Sequence, residues 1–386
     1  VPSDNSSTRK KRRIVQGPLP GGEKYWAQLQ AIGHEAGLHS VGVTSADPLL
    51  RARESIRHRI DNDLVNGMQF TFRNPERSTT PSLTVEGAKS IIVGAYSYFH
   101  GDIDIAMQEE PAFVARYAWM DHQAALKESL RAIMRQLRDD GHRAVVFADD
   151  NSVVDREVAY NAGIGWFGKN ANILLPGAGS FFVLGCVVTT AELPVATPVQ
   201  DSCGTCTRCM PACPTEAIVA PGVIDAHRCL SWLLQKPGVF PREYREALGN
   251  RIYGCDDCQT SCPHTRNLSV PVSVGGMSLR VALGVRTLLT LNDESLMEAC
   301  DGWYVHDRNP MWIRRNALII AGNEALPTDE WKQIIGQYVG SAEPVLRAHA
   351  VWAAARLGFT TLIPVTDADE MVRAELAHLP TLRSNL

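Results

Sequence analysis

The sequence lacks any apolar run long enough to cross a bilayer. Stretches such as SFFVLGCVV (180–188) fall well short of the ~20 residues a spanning helix needs. No charged-then-apolar segment opens it, so export is not expected. Net positive charge is also missing: the formal balance is −4, so any nucleic-acid contact must rest on local patches. Neither a Walker loop nor a G-x-G-x-x-G turn after a strand is present, and no nucleotide fold is implied. Cysteine is absent before Cys186 and after Cys300, which excludes a disulfide framework spread through the chain.

What is present begins with a polar, then basic leader, residues 1–22, read as disordered. Its Arg9–Arg13 run suits a solvated charge cluster better than a phosphate site. EKYWAQLQAIGHEAGL reads as an amphipathic helix stopped near Gly37. SVGVTSA (40–46), SIIVGAYSYF (90–99), RAVVFADD (143–150) and SFFVLGCVVTT (180–190) read as strands, with a helix over 121–141. Residues 23–191 therefore form a sheet domain with helices on its faces, in no derivable strand order. A proline-bearing linker (192–202) opens a cysteine-rich domain, 192–270, and NLSVPVSVGG (267–276) is a second linker. Residues 271–386 turn helical: PMWIRRNALIIAGNEA, TDEWKQIIGQYVG and EPVLRAHAVWAAARLG suggest a helical-repeat domain. The whole is an α+β multidomain fold.

Eight of the ten cysteines lie between Cys203 and Cys262. Cys203, Cys206, Cys209 and Cys213-Pro214 spell C-x2-C-x2-C-x3-C-P. Cys255, Cys258 and Cys262-Pro263 spell C-x2-C-x3-C-P, and Cys229 stands between. This is the bacterial ferredoxin spacing, in which the proline-marked cysteine ligates the other cluster. Crossing in that way, Cys203, Cys206, Cys209 and Cys262 hold one 4Fe–4S cluster. Cys213, Cys229, Cys255 and Cys258 hold the second. Structural zinc prefers paired knuckles around a single ion, which this pattern does not provide. Cys186 and Cys300 read as buried small hydrophobes.

Two clusters form an electron wire, and the rest of the chain must bind what the wire feeds. FADDNSVVDREVAYNAGIGWFGKN (147–170) is the other conspicuous stretch. Asp149 and Asp150 end a strand, where α/β sheets open their ligand crevice. Ser152 is expected to cap the next helix, with Asp155 completing a capping box. Spacing alone identifies neither a catalytic group nor a cofactor here.

GNRIYGCDDCQTSCP (249–263), DREVAYNAGIGWFGKN, CGTCTRCMPACPTEAI and RRNALIIAGN (314–323) together resemble the epoxyqueuosine reductase family, in order and from about residue 23 to 358. The resemblance implies a nitroreductase-like cobalamin-binding domain over 23–191, a ferredoxin-like domain over 192–270, and a HEAT-like tRNA-binding tail over 271–386. It implies that two 4Fe–4S clusters reduce cobalamin, and that epoxyqueuosine becomes queuosine at the wobble position of tRNA with a GUN anticodon. Asp149 takes the place of the family's proton donor, thirteen residues before AGIGW (162–166). Contacts to the corrin fall near Arg73, Ala115, Asp149, Trp166, Lys169, Asp256 and Asp257. A cytoplasmic monomer served by an external electron donor is expected. The alternative is a corrinoid reductase acting on a small molecule, as in reductive dehalogenases.

Removing an epoxide oxygen takes two electrons and protons, and side chains cannot supply the electrons. A carboxyl acting as an acid near neutrality needs a dry setting. Arg308, Arg314, Arg315, Lys332 and Arg347 are the tail's candidate phosphate contacts. The chain departs from the family at RYAWMDHQ (116–123), at CPHT (262–265) and at Ser152. These departures bear on substrate positioning rather than electron delivery.

Overall fold

The computed structural model describes residues 22–103, 109–266 and 279–379. The basic leader up to residue 21 and the second linker lie outside the described residues. Among the described residues, no helix is long and apolar enough to cross a membrane.

The first unit is a four-stranded sheet in the order Ser40–Ser45, Ser90–Ser97, Phe182–Thr189, Ala144–Ala148, antiparallel throughout. Its two central strands are rich in Val and Ile and almost wholly buried, as strands covered on both faces must be. One face packs against the helices Gly22–Glu35 and His122–Asp139, the latter through Leu126, Leu130, Ile133 and Leu137. Asp121 starts that helix by accepting the Ala124 N–H at 2.8 Å. Gly185 lets it approach closely: a Cβ there would lie 2.8 Å from Ala148 and 2.9 Å from Leu130. The opposite face takes Val158 and Ala159 of the helix Asp155–Asn161.

The domain divisions read from the sequence do not bound the cores. Pro111–Val114 leaves the first unit to pair in parallel with Arg251–Tyr253 and antiparallel with Ala282–Gly284. Ala112, Val114 and Trp119 thereby share one core with Leu230–Leu233, Ile252 and the tail helices. Pairing between residues so far apart in sequence leaves no local signature.

The tail helices Met311–Glu324, Asp329–Val339, Pro344–Arg356 and Glu370–Ala377 pack on one another. Three of their cations are internal fastenings rather than free phosphate contacts. Arg315 is buried and donates to the carbonyls of Leu233, Leu234, Lys236 and Gly238 at 2.6–3.1 Å. Arg347 forks onto Asp367 at 2.8 and 3.0 Å. Arg314 pairs with Asp293 and donates to the Leu291 carbonyl. Arg308 is exposed and Lys332 half-buried.

Candidate active site and metal centres

Cys203, Cys206, Cys209 and Cys262 ring a cavity of about 160 Å³, with Lys169 and His264 on its wall. Tight turns bring them there. The Cys206 N–H donates to the Cys203 carbonyl at 3.0 Å, and the Thr265 N–H donates to that of Cys262 at 2.9 Å. Burial, and then the charges of Cys262, Cys203 and Cys206, push the Cys209 thiol up. Crowded thiolates repel one another, and a bound cationic centre reverses that sign.

The other four thiols form a deeper group. Burial, followed by Cys255, Cys229 and Cys213, holds the Cys258 thiol well above its ordinary value. Burial likewise raises Cys229, and pushes Cys255 to about 12. Cys213 Sγ accepts the Ala217 N–H at 3.2 Å. Where a second thiol's charge is felt, at Cys209, Cys262, Cys229, Cys255 and Cys258, it belongs to the same four residues, alongside nearby carboxylates and arginines. Among the described residues, no three His, Cys, Asp or Glu side chains converge tightly enough for a single metal ion. Four thiols spaced around a cavity suit a larger cluster.

The antiparallel hairpin of Trp166–Phe167 and Ile173–Leu174 ties both groups together. Lys169 Nζ at its tip donates to the Gly204 carbonyl at 2.8 Å, between Cys203 and Cys206. Asn170 Nδ2 donates to the Cys258 carbonyl at 3.1 Å. Trp166 packs on Leu174, Cys262 and Cys203. Trp166 and Lys169, expected at the corrin, stand here against the first thiol group. Asn170 was not singled out by the sequence, although it sits in the same glycine-rich turn.

A second cavity, of about 300 Å³, is lined by Ala115, Arg116, Gly254, Cys255, Asp256 and Asp257, among others. It gathers three of the expected corrin contacts beside Cys255, a thiol of the deeper group. Asp256 contributes its side chain and not only its backbone: Oδ2 accepts the Arg116 N–H at 2.6 Å. Burial pushes that carboxyl up to about 6. Gly254 has φ +74 and lies so close to Ala115 that a Cβ would come within 2.5 Å. Glycine therefore lets this backbone sit directly on Ala115 and Tyr117 at the cavity's edge. Among the described residues Arg116 Nε is buried with no acceptor, and the amide oxygens of a corrinoid's side chains are acceptors. These residues fit the edge of such a group. Arg73, Asp149, Trp166 and Lys169 are not among the residues lining this cavity.

Asp149 is exposed, and its φ of +53 is a left-handed conformation rare outside glycine, asparagine and aspartate. The dry setting expected for it is not formed by the chain itself. The sheet is antiparallel, so the crevice rule of parallel α/β sheets does not explain its position. Its charge reaches two groups: Tyr253, raised chiefly by burial to about 12, and Asp155, raised chiefly by burial. Ser152 does not cap the following helix. That helix starts later, at Asp155 with Val154 before it. The Ser152 N–H instead donates to Asp150 Oδ1 at 2.7 Å, and its hydroxyl accepts from Arg77.

A family model described as a 4Fe-4S double cluster binding domain matches residues 202–265. An epoxyqueuosine reductase of Bacillus anthracis is 32% identical over 339 residues, covering 83% of this chain and 86% of the relative. The chain belongs to the epoxyqueuosine reductase family. The Escherichia coli K12 epoxyqueuosine reductase is 31% identical over 341 residues, covering 85% and 88%. Among solved structures, an epoxyqueuosine reductase holding an epoxyqueuosine-modified tRNA-Tyr stem loop superposes with a TM-score of 0.84. It is 27% identical, with 92% of this chain and 98% of that one covered. The Streptococcus thermophilus epoxyqueuosine reductase gives 0.83 at 27% identity, with 91% and 97% covered.

Proposed function

We propose that this chain reduces epoxyqueuosine to queuosine at the wobble position of tRNA with a GUN anticodon. It does so as a cytoplasmic monomer, taking electrons singly from an external donor through two 4Fe–4S clusters to cobalamin. The observation that carries this reading is Cys255, which belongs to the deeper thiol group and also lines the corrin-edge cavity. The first group lies nearer the surface, with Gly204, Thr205 and Arg208 exposed around it, and suits electron entry. The antiparallel sheet is then the nitroreductase-like unit, residues 202–265 the ferredoxin-like unit, and the tail a HEAT-like repeat.

Ala115 and the Asp256–Asp257 segment would hold the corrinoid's edge, with Arg116 donating to its amides. Cobalamin supplies a low-potential centre able to open a strained carbon–oxygen ring. Asp149 gives a proton to the departing oxygen. Asp149 is exposed, so a bound nucleotide can reach its carboxyl, and the RNA itself would shield it from water. The test is complementation. Expressed in a bacterial strain without its own reductase, the chain should convert the tRNA nucleoside pool from epoxyqueuosine to queuosine. A pool left as epoxyqueuosine, with the protein present and iron-loaded, would overturn the reading.

A further inference from the structure

Phe70 and Tyr304 are large apolar rings left open to solvent, 39% and 47% exposed, from opposite ends of the chain. They meet edge to face with centroids 6.0 Å apart. Exposed rings on loops ordinarily turn inward or move; these two are held in place. The Tyr304 N–H donates to the Tyr253 hydroxyl at 2.8 Å. Its neighbour Trp303 stacks on Tyr253 at 4.6 Å and donates from Nε1 to the Ala118 carbonyl. Phe70 stands edge-on to Trp232 at 6.1 Å, and the Trp232 indole N–H donates to the Asn66 carbonyl.

The backbone is strained on both sides. Phe70 has φ +31, and Asp307 and Arg308 have φ +51 and +52. Residues in such conformations cost free energy and cluster at ligand clamps. Two arginines lie close to the pair in sequence: Arg73 ends the turn that begins at Phe70, and Arg308 follows Tyr304 by four residues. Both are exposed, and neither side chain has a hydrogen-bond or carboxylate partner among the described residues. Tyr253 and Trp232, the roots of this arrangement, lie two and three residues from Cys255 and Cys229, and Asp149's charge is felt at Tyr253.

The geometry points to Tyr304 and Phe70 as a stacking platform for an unpaired RNA base next to the one being reduced, with Arg73 and Arg308 on its phosphates. Fixed rings, with arginines three and four residues along their own segments that make no internal ion pair among the described residues, are what single-stranded nucleic acid requires. Stacking on such a ring is worth ~1–3 kcal/mol per base. The inference rests on the tRNA reading above and deepens it. Arg73 thereby takes a role at RNA rather than at the corrin.

The test uses iron-loaded full chain and a labelled anticodon stem loop, with an RNA duplex of equal length as control, read by fluorescence anisotropy. Tyr304→Ala and Phe70→Ala should each weaken stem-loop binding about 5–150-fold, KM rising in step, while duplex binding stays as in wild type. Tyr304→Trp should restore binding. Arg73→Ala and Arg308→Ala should each flatten the salt dependence by about 0.7 in log–log slope, a readout that needs neither ring variant to fold. Ring variants that bind the loop as tightly as wild type, or that lose loop and duplex equally, would overturn the platform. Arginine variants with wild-type salt slopes would do so too. If wild type leaves epoxyqueuosine intact yet the ring variants still weaken loop binding, the reaction reading falls and the platform stands. Conversion by wild type with normal binding by the ring variants would sink the platform alone.

Discussion

Asn170 donates its side-chain amide to the backbone carbonyl of Cys258 at 3.1 Å, from a position only 4% exposed. A turn of the sheet unit thus fixes a cysteine of the deeper group. A buried carbonyl stripped of its donor costs ~1–3 kcal/mol. Asn170→Ala should therefore bind the deeper cluster less tightly. Anaerobic assays should find iron falling from about eight per chain toward about four, with the loss faster in air than for wild type. Iron content equal to wild type would show that the hairpin does not support that group.

Asp149→Asn should keep both clusters and its fold, because asparagine also tolerates the left-handed backbone seen there. Removing a general acid typically costs ~10²–10⁴ in rate. Single-turnover assays on epoxyqueuosine RNA should show a loss in that range, with stem-loop affinity retained. Asp150→Asn, which disturbs only an acceptor for the Ser152 N–H, should cost far less.

Arg315 and Arg308 look alike in sequence and should behave oppositely. Burial lowers the Arg315 guanidinium to about 9, and its N–H groups close off four carbonyls at the end of Leu230–Leu233 and the loop after it. Arg315→Met should destabilise by roughly 3–5 kcal/mol, because those acceptors lose their donor inside the core. Arg308→Ala, at an exposed position, should stay within about 0.5 kcal/mol of wild type. Anaerobic denaturant titration reads both.

His122 is 1% exposed, stacked on His100 at 5.3 Å and beside Tyr98, with Asp121 next in sequence. Burial first, then His100, lowers its ring to about 4, against partial compensation from Asp121. The unfolded chain takes up this proton near pH 6.5, and the folded chain only near 4. Its stabilising effect is complete above 6.5 and fades as pH falls toward 4, by about 3 kcal/mol in all. A weak approach to the Arg116 backbone also offsets the shift in part, but among the described residues neither ring nitrogen makes a hydrogen bond of good geometry, so His122→Phe gives up little. The variant should be the more stable form at pH 5 and should show a shallower fall in melting temperature between pH 7 and 5. An unchanged pH profile would refute the assignment.

The 4Fe–4S character of residues 202–265 was legible in the sequence because closely spaced cysteines are a local signal. The strand positions were legible because apolar runs such as SIIVGAYS stand out against their flanks. The mixed sheet of Pro111–Val114 with Arg251–Tyr253 and Ala282–Gly284 was not, since its pairing is long-range and each strand is short. Arg315 misled because a cation in a helix usually faces water. The surrounding NALIIAG was the missed signal: a helix apolar on all sides is buried on all sides. Asp149 was singled out through the family resemblance rather than through its chemistry. Its strained backbone is visible only in three dimensions. Trp166 and Lys169, assigned to a cofactor edge, lie against the first thiol group, a contact that the spacing alone did not reveal.

The most direct test of the central claim uses purified components. Protein is prepared without oxygen, loaded with iron, sulfide and cobalamin, reduced, and mixed with an epoxyqueuosine stem loop, and the nucleoside is then weighed by mass spectrometry. The account requires the loss of one oxygen atom to give queuosine, only when corrinoid and both clusters are present. Intact epoxyqueuosine after incubation with fully loaded, reduced protein would contradict it.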